Sequence, residues 1–200
     1  NFLFSKDSLS KYAFHEDYIA IELIGDVRMC DIERPQLFPQ HIKKVLFCPN
    51  KLDDVGKVVA LAKDIIHAGF EVVLRPHPGD IRRWSKLEID QMSISTGNTA
   101  LYDIERTDCA VVSESGIVLE VLFMKKFLYK FPEWAIVNKD SYGYQRSGLI
   151  TDVYHDSQTL IEAMNNKCMS FDLSKLEYFI GPVDQTYSLL QNIKHEIFND

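Results

Sequence analysis

The stretch Val72-Val-Leu-Arg-Pro-His-Pro-Gly-Asp80 decides the fold, because it is a buried strand that ends abruptly at a histidine. The apolar, β-branched run before Arg75 is typical of a strand covered on both faces, as in a parallel sheet. Pro76 and Pro78 cannot donate to a sheet ladder, so the strand ends there and the chain turns. We therefore expect Arg75 and His77 at the carboxyl end of a parallel strand, where open α/β sheets bind ligands. The alternative is that His77 is only a loop residue between two prolines.

Composition restricts the classes of protein to which the chain can belong. Two hundred residues, 46% of them hydrophobic, are enough for one compact domain, or for one domain and a fragment of another. The net charge of −7 argues against nucleic acid and anionic membranes as partners, since both select basic surfaces. No apolar run approaches about 18 residues, so we expect no transmembrane segment and a cytoplasmic protein, peripheral at the inner membrane face at most.

Several signatures of other activities are missing from the sequence. The four cysteines are far apart and form no Cys-x-x-Cys pair, which favours reduced thiols over zinc ligands or disulfides. The histidines have no His-x-x-x-His spacing, so no metal site is expected. There is no G-x-G-x-x-G, P-loop or G-x-S-x-G motif, which disfavours NAD binding, ATP hydrolysis and a serine nucleophile. The acidic cluster of Asp103, Glu105 and Asp108 is interpreted as a solvated face.

Strands alternate with helices along most of the chain. The predicted strands are residues 45–48, 70–74, 92–94, 109–112 and 127–131. This alternation predicts a Rossmann-like α/β domain, with a parallel sheet covered by helices on both faces. We place that domain at residues 42–200. Residues 1–41 are expected to be a linker and the strand–helix–strand remnant of a preceding domain, so that the chain begins inside a longer polypeptide.

A second informative stretch, Val111-Val-Ser-Glu-Ser-Gly-Ile-Val-Leu-Glu120, joins a buried strand to a helix through a small polar turn. The first amides of a helix lack internal partners and lie at the positive end of its dipole, so they suit a phosphate. Ser113 and Ser115 add hydroxyl donors, Gly116 lets a ligand approach the backbone, and Glu120 can accept hydrogen bonds from a ribose. The alternative is that Ser113 only caps the helix and Glu120 is solvated. We favour a ligand site because both stretches are expected at one sheet edge.

Four short motifs, in this order along the chain, resemble a known group of enzymes: Pro49-Asn50-Lys51, Arg75-Pro-His-Pro78, Ser113-Glu-Ser115 and Arg146-Ser-Gly148. They look like the carboxyl-terminal, nucleotide-binding half of GT-B glycosyltransferases. The families that the chain resembles most are the CDP-glycerol glycerophosphotransferases of teichoic acid synthesis and the bacterial capsule sialyl- and polysialyltransferases. The likeness covers about residues 42–198.

The resemblance implies a role for each matched position. His77 would contact or protonate the departing phosphate of a nucleotide-activated donor. The other donor contacts would be Lys51, Arg75, Ser113, Ser115, Gly116, Glu120 and Arg146, with Ser95, Thr96, Gly97 and Asn98 facing the base. The donor would be a sugar or polyol phosphate linked to CDP, CMP or UDP, the acceptor a glycan or teichoic-acid-like polymer, and no further cofactor is implied. The general base would lie in an amino-terminal domain of the same polypeptide, so we expect little or no turnover from these 200 residues alone.

Two departures from the family pattern leave alternatives open. Lys51 stands near a position where the family often has arginine, which weakens bidentate phosphate binding there. Glu114 places a carboxylate beside the proposed phosphate, so it must point away or the site binds something else. Ser115-Gly116 with Glu120 also resembles the non-hydrolysing UDP-sugar 2-epimerases, which have a related fold. A non-catalytic binding module on the same fold is a third interpretation.

Overall fold

The computed structural model describes residues 2–3, 5–7, 22–23, 25–84, 90–95, 99–136 and 139–198. Its chain contacts divide into two compact units, one of residues 35–172 and one of residues 1–34 together with 173–200. No helix within the described ranges is long and apolar enough to cross a membrane.

The described residues form seven strands and seven α-helices. The strands are β1 (Phe2–Leu3), β2 (Glu22–Leu23), β3 (Lys44–Cys48), β4 (Glu71–Leu74), β5 (Met92–Ile94), β6 (Cys109–Val112) and β7 (Phe127–Lys130). The helices are α1 (Val55–His67), α2 (Ile81–Trp84), α3 (Ala100–Glu105), α4 (Val118–Phe123), α5 (Ser157–Asn165), α6 (Leu176–Ile180) and α7 (Val183–Phe198). Short 3₁₀ helices cover Pro78–Asp80, Pro132–Trp134 and Leu173–Lys175.

Strands β3 to β7 form one parallel sheet in the order β5-β4-β3-β6-β7. Val45 and Phe47 of β3 pack in a single core with α1 and α5 on one face of the sheet. Leu46 is fully buried on the other face, because successive strand residues point to opposite sides. Helices α3 and α4 bury Ile104 and Leu122 outside the first core. The predicted Rossmann-like fold with helices on both faces is therefore confirmed.

A side-chain cap sets the start of helix α1, and a glycine follows its end. The carboxylate of Asp54 accepts from the backbone N–H of Lys57 at 2.9 Å, which caps the first turn. Gly69 follows the helix with φ +95°, a left-handed conformation that glycine adopts without steric cost. The chain then turns directly into β4, which carries the proposed site residues to the edge of the sheet.

The unit of residues 1–34 and 173–200 pairs β1 with β2 in parallel. The N–H of Asp26 donates to the carbonyl of Ile180 at 2.7 Å. Gly25 has φ +77°, and a Cβ there would lie 2.4 Å from Oγ1 of Thr186, so only glycine fits. The helix predicted between β1 and β2 falls mostly outside the described residues. The domain division at residues 41 and 42 stays a prediction, and the chain contacts group α6 and α7 with the amino-terminal residues.

Candidate functional site

The carboxyl ends of the five parallel strands bring the sequence-predicted residues to one edge of the sheet. The order in which strands are added to the sheet reverses between β3 and β6, which are parallel neighbours although two strands separate them in sequence. Such a switch point leaves a crevice that α/β proteins use for ligands. His77 follows β4 and Ser113 follows β6, so the predicted common edge is confirmed. Because β3 lies between those strands, their ends are about 10 Å apart rather than adjacent.

Arg75, at the end of β4, is held by a buried carboxylate. Its Nη1 donates to Oδ2 of Asp103 at 2.5 Å, and the two side chains are only 13% and 5% exposed. Ser95 donates its hydroxyl to the same carboxylate at 2.7 Å. The interpretation of Asp103 as part of a solvated acidic face is therefore wrong, because α3 turns it inward toward Arg75. Asp108 also has a structural role, accepting from the amides of Lys43 and Lys44 at the amino end of β3.

Cys48, the last residue of β3, lies close to several charged side chains. Burial raises the pKa of its thiol, and the charges of Arg75, Asp103 and Glu120 all act on it. These three charged side chains therefore lie around the end of β3. Glu120, which the sequence analysis assigns to the ribose, is half-buried at this position.

The hydroxyl of Ser113 is hydrogen-bonded to a buried aspartate, Asp53, which the sequence did not mark as a site residue. Its Oγ donates to Oδ2 of Asp53 at 2.6 Å, and the N–H of Asn50 donates to the same oxygen at 2.8 Å. Ser113 and Asp53 are 2% and 0% exposed, so Ser113 connects the loop after β3 to the turn after β6 instead of facing a ligand. Burial raises the pKa of the Asp53 carboxyl, with the Ser113 hydrogen bond acting in the opposite direction. Among the described residues, Oδ1 of Asp53 has no hydrogen-bond partner.

Glu114 forms a buried ion pair with Lys130, the last residue of β7. Its Oε1 bonds Nζ of Lys130, and the two side chains are 9% and 2% exposed. The other carboxylate oxygen accepts from the N–H of Ser141 at 3.2 Å. Its backbone carbonyl accepts from Nδ2 of Asn50 at 3.1 Å. The carboxylate of Glu114, the residue that departs from the family pattern, thus points away from the turn. The positive charge of Lys130 balances its charge.

Ser115 and Gly116 are the part of the turn that stays half-exposed. The Oγ of Ser115 accepts from the N–H of Ile117 at 3.4 Å, which leaves its own proton available for donation. A Cβ at Gly116 would lie 3.8 Å from the hydroxyl of Tyr142. The segment of residues 139–148, which we call the 139–148 loop, therefore borders this turn.

His77 and Lys51 are exposed at the same edge. Nδ1 of His77 accepts from the N–H of Gly79 at 3.1 Å and caps the 3₁₀ helix that follows. An imidazole that accepts at Nδ1 carries its proton on Nε2, which can donate to a ligand. The Arg146 side chain is exposed, and the backbone N–H of Arg146 donates to the Asp140 carboxylate at 2.8 Å. Thr96, Gly97 and Asn98 lie outside the described residues.

A cavity of about 580 Å³ lies beside Ser95 and Asp103. It runs between β5 and α3, and hydroxyl-bearing side chains dominate its wall, which consists of Lys44, Val73, Ser93, Ile94, Ser95, Thr99, Tyr102, Asp103, Arg106 and Thr107. Arg106 stacks on the ring of Tyr102 with 3.6 Å from Cζ to the ring centroid. Within the described residues, no three His, Cys, Asp or Glu side chains are placed to share a metal ion.

Comparison with known proteins identifies the fold but not a sequence family. No family model and no curated protein matches the chain. A structure of the wall teichoic acid polymerase TagF, soaked for 15 minutes with CDPG, matches with a TM-score of 0.60 and 17% identity over 98% of this chain. The glycosyltransferase SnogD from Streptomyces nogalater matches with a TM-score of 0.50 and 11% identity over 78%.

The chain has a GT-B glycosyltransferase-like fold. It spans only 55% of the TagF chain and 44% of the SnogD chain, about half of each. A second TagF structure agrees, with a TM-score of 0.50 and 12% identity over 80% of this chain. At such identities the likeness establishes the fold, and the geometry of the site must carry any argument about chemistry.

The Glu114–Lys130 ion pair gives a prediction for the stability of this GT-B-like fold. Removing one partner leaves the other as an unpaired buried charge, so Lys130→Met and Glu114→Leu should each lower the free energy of unfolding by about 3 kcal/mol or more. The double variant should lie within about 1 kcal/mol of the wild type, because neither charge remains. Urea unfolding of all four proteins measures this cycle.

The exposed pair of Lys44 and Glu71 is the matched control, with side chains 39% and 65% exposed. Lys44→Met should cost about 1 kcal/mol at most, because water screens an exposed pair. Additive losses in the Glu114–Lys130 double variant would show that the two side chains do not form the buried pair.

Asp53 gives a prediction for the pH dependence of stability. A carboxyl whose pKa is raised by folding contributes stability that is complete below its unfolded value, about 3.9, and is lost as the pH rises through the folded pKa. Asp53→Asn removes this titration. The free energy of unfolding of the wild type minus that of Asp53→Asn should therefore be smaller at pH 7.5 than at pH 4.5. A difference that stays constant or grows with pH in urea unfolding would contradict the assignment.

Proposed function

We propose that the chain is the donor-nucleotide-binding half of a GT-B transferase that moves a sugar or polyol phosphate from a nucleotide-activated donor to a glycan or teichoic-acid-like acceptor. The observation that carries the proposal is the crevice between β3 and β6, where Ser115, Gly116 and Arg146 remain open while neighbouring charges are balanced by the protein itself. The TagF structure soaked with CDPG supports the nucleotide class, since the two folds are alike.

The chemical demand of such a transfer is a departing phosphate that gains negative charge in the transition state. Fixed hydrogen-bond donors directed at that charge are the most effective help that a protein can give. In this proposal the donors are the Nε2–H of His77, the hydroxyl of Ser115 and the guanidinium of Arg146, with Lys51 as an outer cation. Because Nδ1 of His77 accepts from the N–H of Gly79, the contribution of His77 in this proposal is the hydrogen bond from Nε2 to the departing oxygen, and its proton is not transferred.

The nucleoside would lie on the other side of the crevice. Glu120 is placed near the end of β3 and would accept from the ribose hydroxyls. Ser95 and the cavity beside it offer a space for the base that is lined partly by hydroxyl groups. Arg75 and Asp103 neutralise each other, so in this proposal Arg75 orients Ser95 and Asp103 and contacts the donor only secondarily.

The acceptor and its general base belong to the proposed amino-terminal domain. This chain spans about half the length of the TagF and SnogD chains that it matches. We therefore propose that these residues bind the donor and that transfer requires the partner domain of the same polypeptide.

Isothermal titration of the chain with CDP, UDP and CMP tests the proposal. At least one nucleotide should bind saturably, and Arg146→Gln should weaken that binding about tenfold, the value expected for losing a hydrogen bond to a charged phosphate. Lys63→Gln is the control, because it removes one positive charge from the exposed side of α1 and should leave the affinity unchanged. Failure of all three nucleotides to bind would refute the proposed function.

A further inference from the structure

Tyr142 is an aromatic residue that the 139–148 loop places beside the open part of the turn after β6. The atom of Tyr142 nearest to a Cβ built on Gly116 is the phenol oxygen, at 3.8 Å, followed by Cε1 and Cζ at 3.9 and 4.0 Å. The phenol end of the side chain, which includes the hydroxyl, therefore lies against Gly116. The residue is 43% exposed, so a ligand can reach it from solvent.

The ring of Tyr142 is held in place before any ligand arrives. It stacks on Tyr144 with 5.3 Å between the ring centroids and 6° between the planes, and Tyr144 is buried. The preceding residue, Ser141, donates its N–H to the carboxylate of the buried Glu114–Lys130 pair. Two contacts to largely buried side chains, the Tyr144 ring and the Glu114 carboxylate, therefore restrict the position of the Tyr142 side chain.

The surroundings of the Tyr142 hydroxyl suit a negatively charged oxygen. Arg146 folds back so that its Nη2 lies 3.1 Å from a Cβ built on Gly143, the residue after Tyr142. Ser115 keeps a hydroxyl proton available on the other side. Two neighbouring carboxylates are already engaged, because Glu114 bonds Lys130 and Asp140 accepts from the backbone amides of Gln145 and Arg146.

We propose that the Tyr142 hydroxyl is a donor-binding group that hydrogen-bonds a phosphate oxygen lying over Ser115 and Gly116, with the Glu114–Lys130 pair as its positioning pair. The inference rests on the proposed function, since it names a further contact in that same site. It assigns to Glu114 a purpose that the family pattern does not supply, namely holding the loop that carries Tyr142 and Arg146. The ligand class is the diphosphate of a nucleoside diphosphate, recognised by its charged oxygens.

The test compares two single-atom deletions in otherwise intact chains. Tyr142→Phe removes only the hydroxyl and keeps the stack on Tyr144, so the fold should be unaffected and its thermal midpoint should match the wild type. Tyr178→Phe is the matched control, because Tyr178 is similarly exposed, at 38%, and lies outside both the 139–148 loop and the turn after β6. The probe is CDP, or whichever of CDP and UDP binds the wild type more tightly, measured by isothermal titration.

Tyr142→Phe should weaken nucleoside diphosphate binding about tenfold, and Tyr178→Phe should leave it unchanged. Equal affinities for the wild type and Tyr142→Phe would overturn the inference while leaving the proposed function in place. Absence of CDP and UDP binding to the wild type would overturn the inference, and the proposed function would fail with it only if CMP also did not bind. Glu114→Gln supplies a second measurement: because its neutral amide leaves Lys130 without a charged partner, hydrogen exchange of the 139–148 loop should become faster. Unchanged exchange would refute the positioning role of the pair.

Discussion

Parallel pairing of β3 with β6 is the constraint on which the rest of the structure depends. It places two strands that are distant in sequence side by side, with the chain running outward from them in both directions. The loops after the two strands then face each other across a crevice. Two hydrogen bonds join those loops, from Ser113 to Asp53 and from Asn50 to the Glu114 carbonyl, so the sheet edge is a connected surface rather than a set of independent loops.

Charge balance decides which groups at this edge remain available to a ligand. Arg75 is paired with Asp103, and Lys130 is paired with Glu114, so neither cation is an unpaired positive charge. Buried pairs of this kind contribute little net stability, since desolvation offsets most of their attraction, and they are better understood as fixing one arrangement of side chains. The groups left to meet an anion are neutral or exposed: Ser115, Tyr142, the Nε2–H of His77 and the exposed Arg146.

The fold could be predicted from sequence because its signals are local. Short β-branched runs, each closed by proline or small polar residues, mark the strands, and every observed strand of the central sheet lies within one residue of its predicted bounds. Arg75 and His77 were correctly expected at the carboxyl edge for the same reason. The strand order, however, is set by pairing between distant segments, and no short motif specifies that β3 separates β4 from β6.

The side-chain partners at the site could not be predicted in the same way. The role of Asp103 depends on how α3 is rotated against β4, and that of Asp53 depends on the loop after β3 crossing to β6. Lys130 ends an otherwise apolar strand, and a lysine buried there needs a carboxylate partner. This lysine is a sequence signal for a buried ion pair, but it does not identify the acidic partner. Glu114 showed as an anomaly in the motif, and only the structure gives its partner.

The central claim is that the edge formed by the carboxyl ends of the strands is a prebuilt site for the phosphates of a nucleotide. Backbone amide NMR during a titration with CDP tests it most directly, because it reports position without any mutation. We expect saturable shifts of the amides of Ser115, Gly116 and Ile117, with the amides of Lys126 and Phe127 at the amino end of β7 unchanged. Saturable binding that shifts Lys126 and Phe127 but leaves the amides of residues 115–117 unchanged would contradict it.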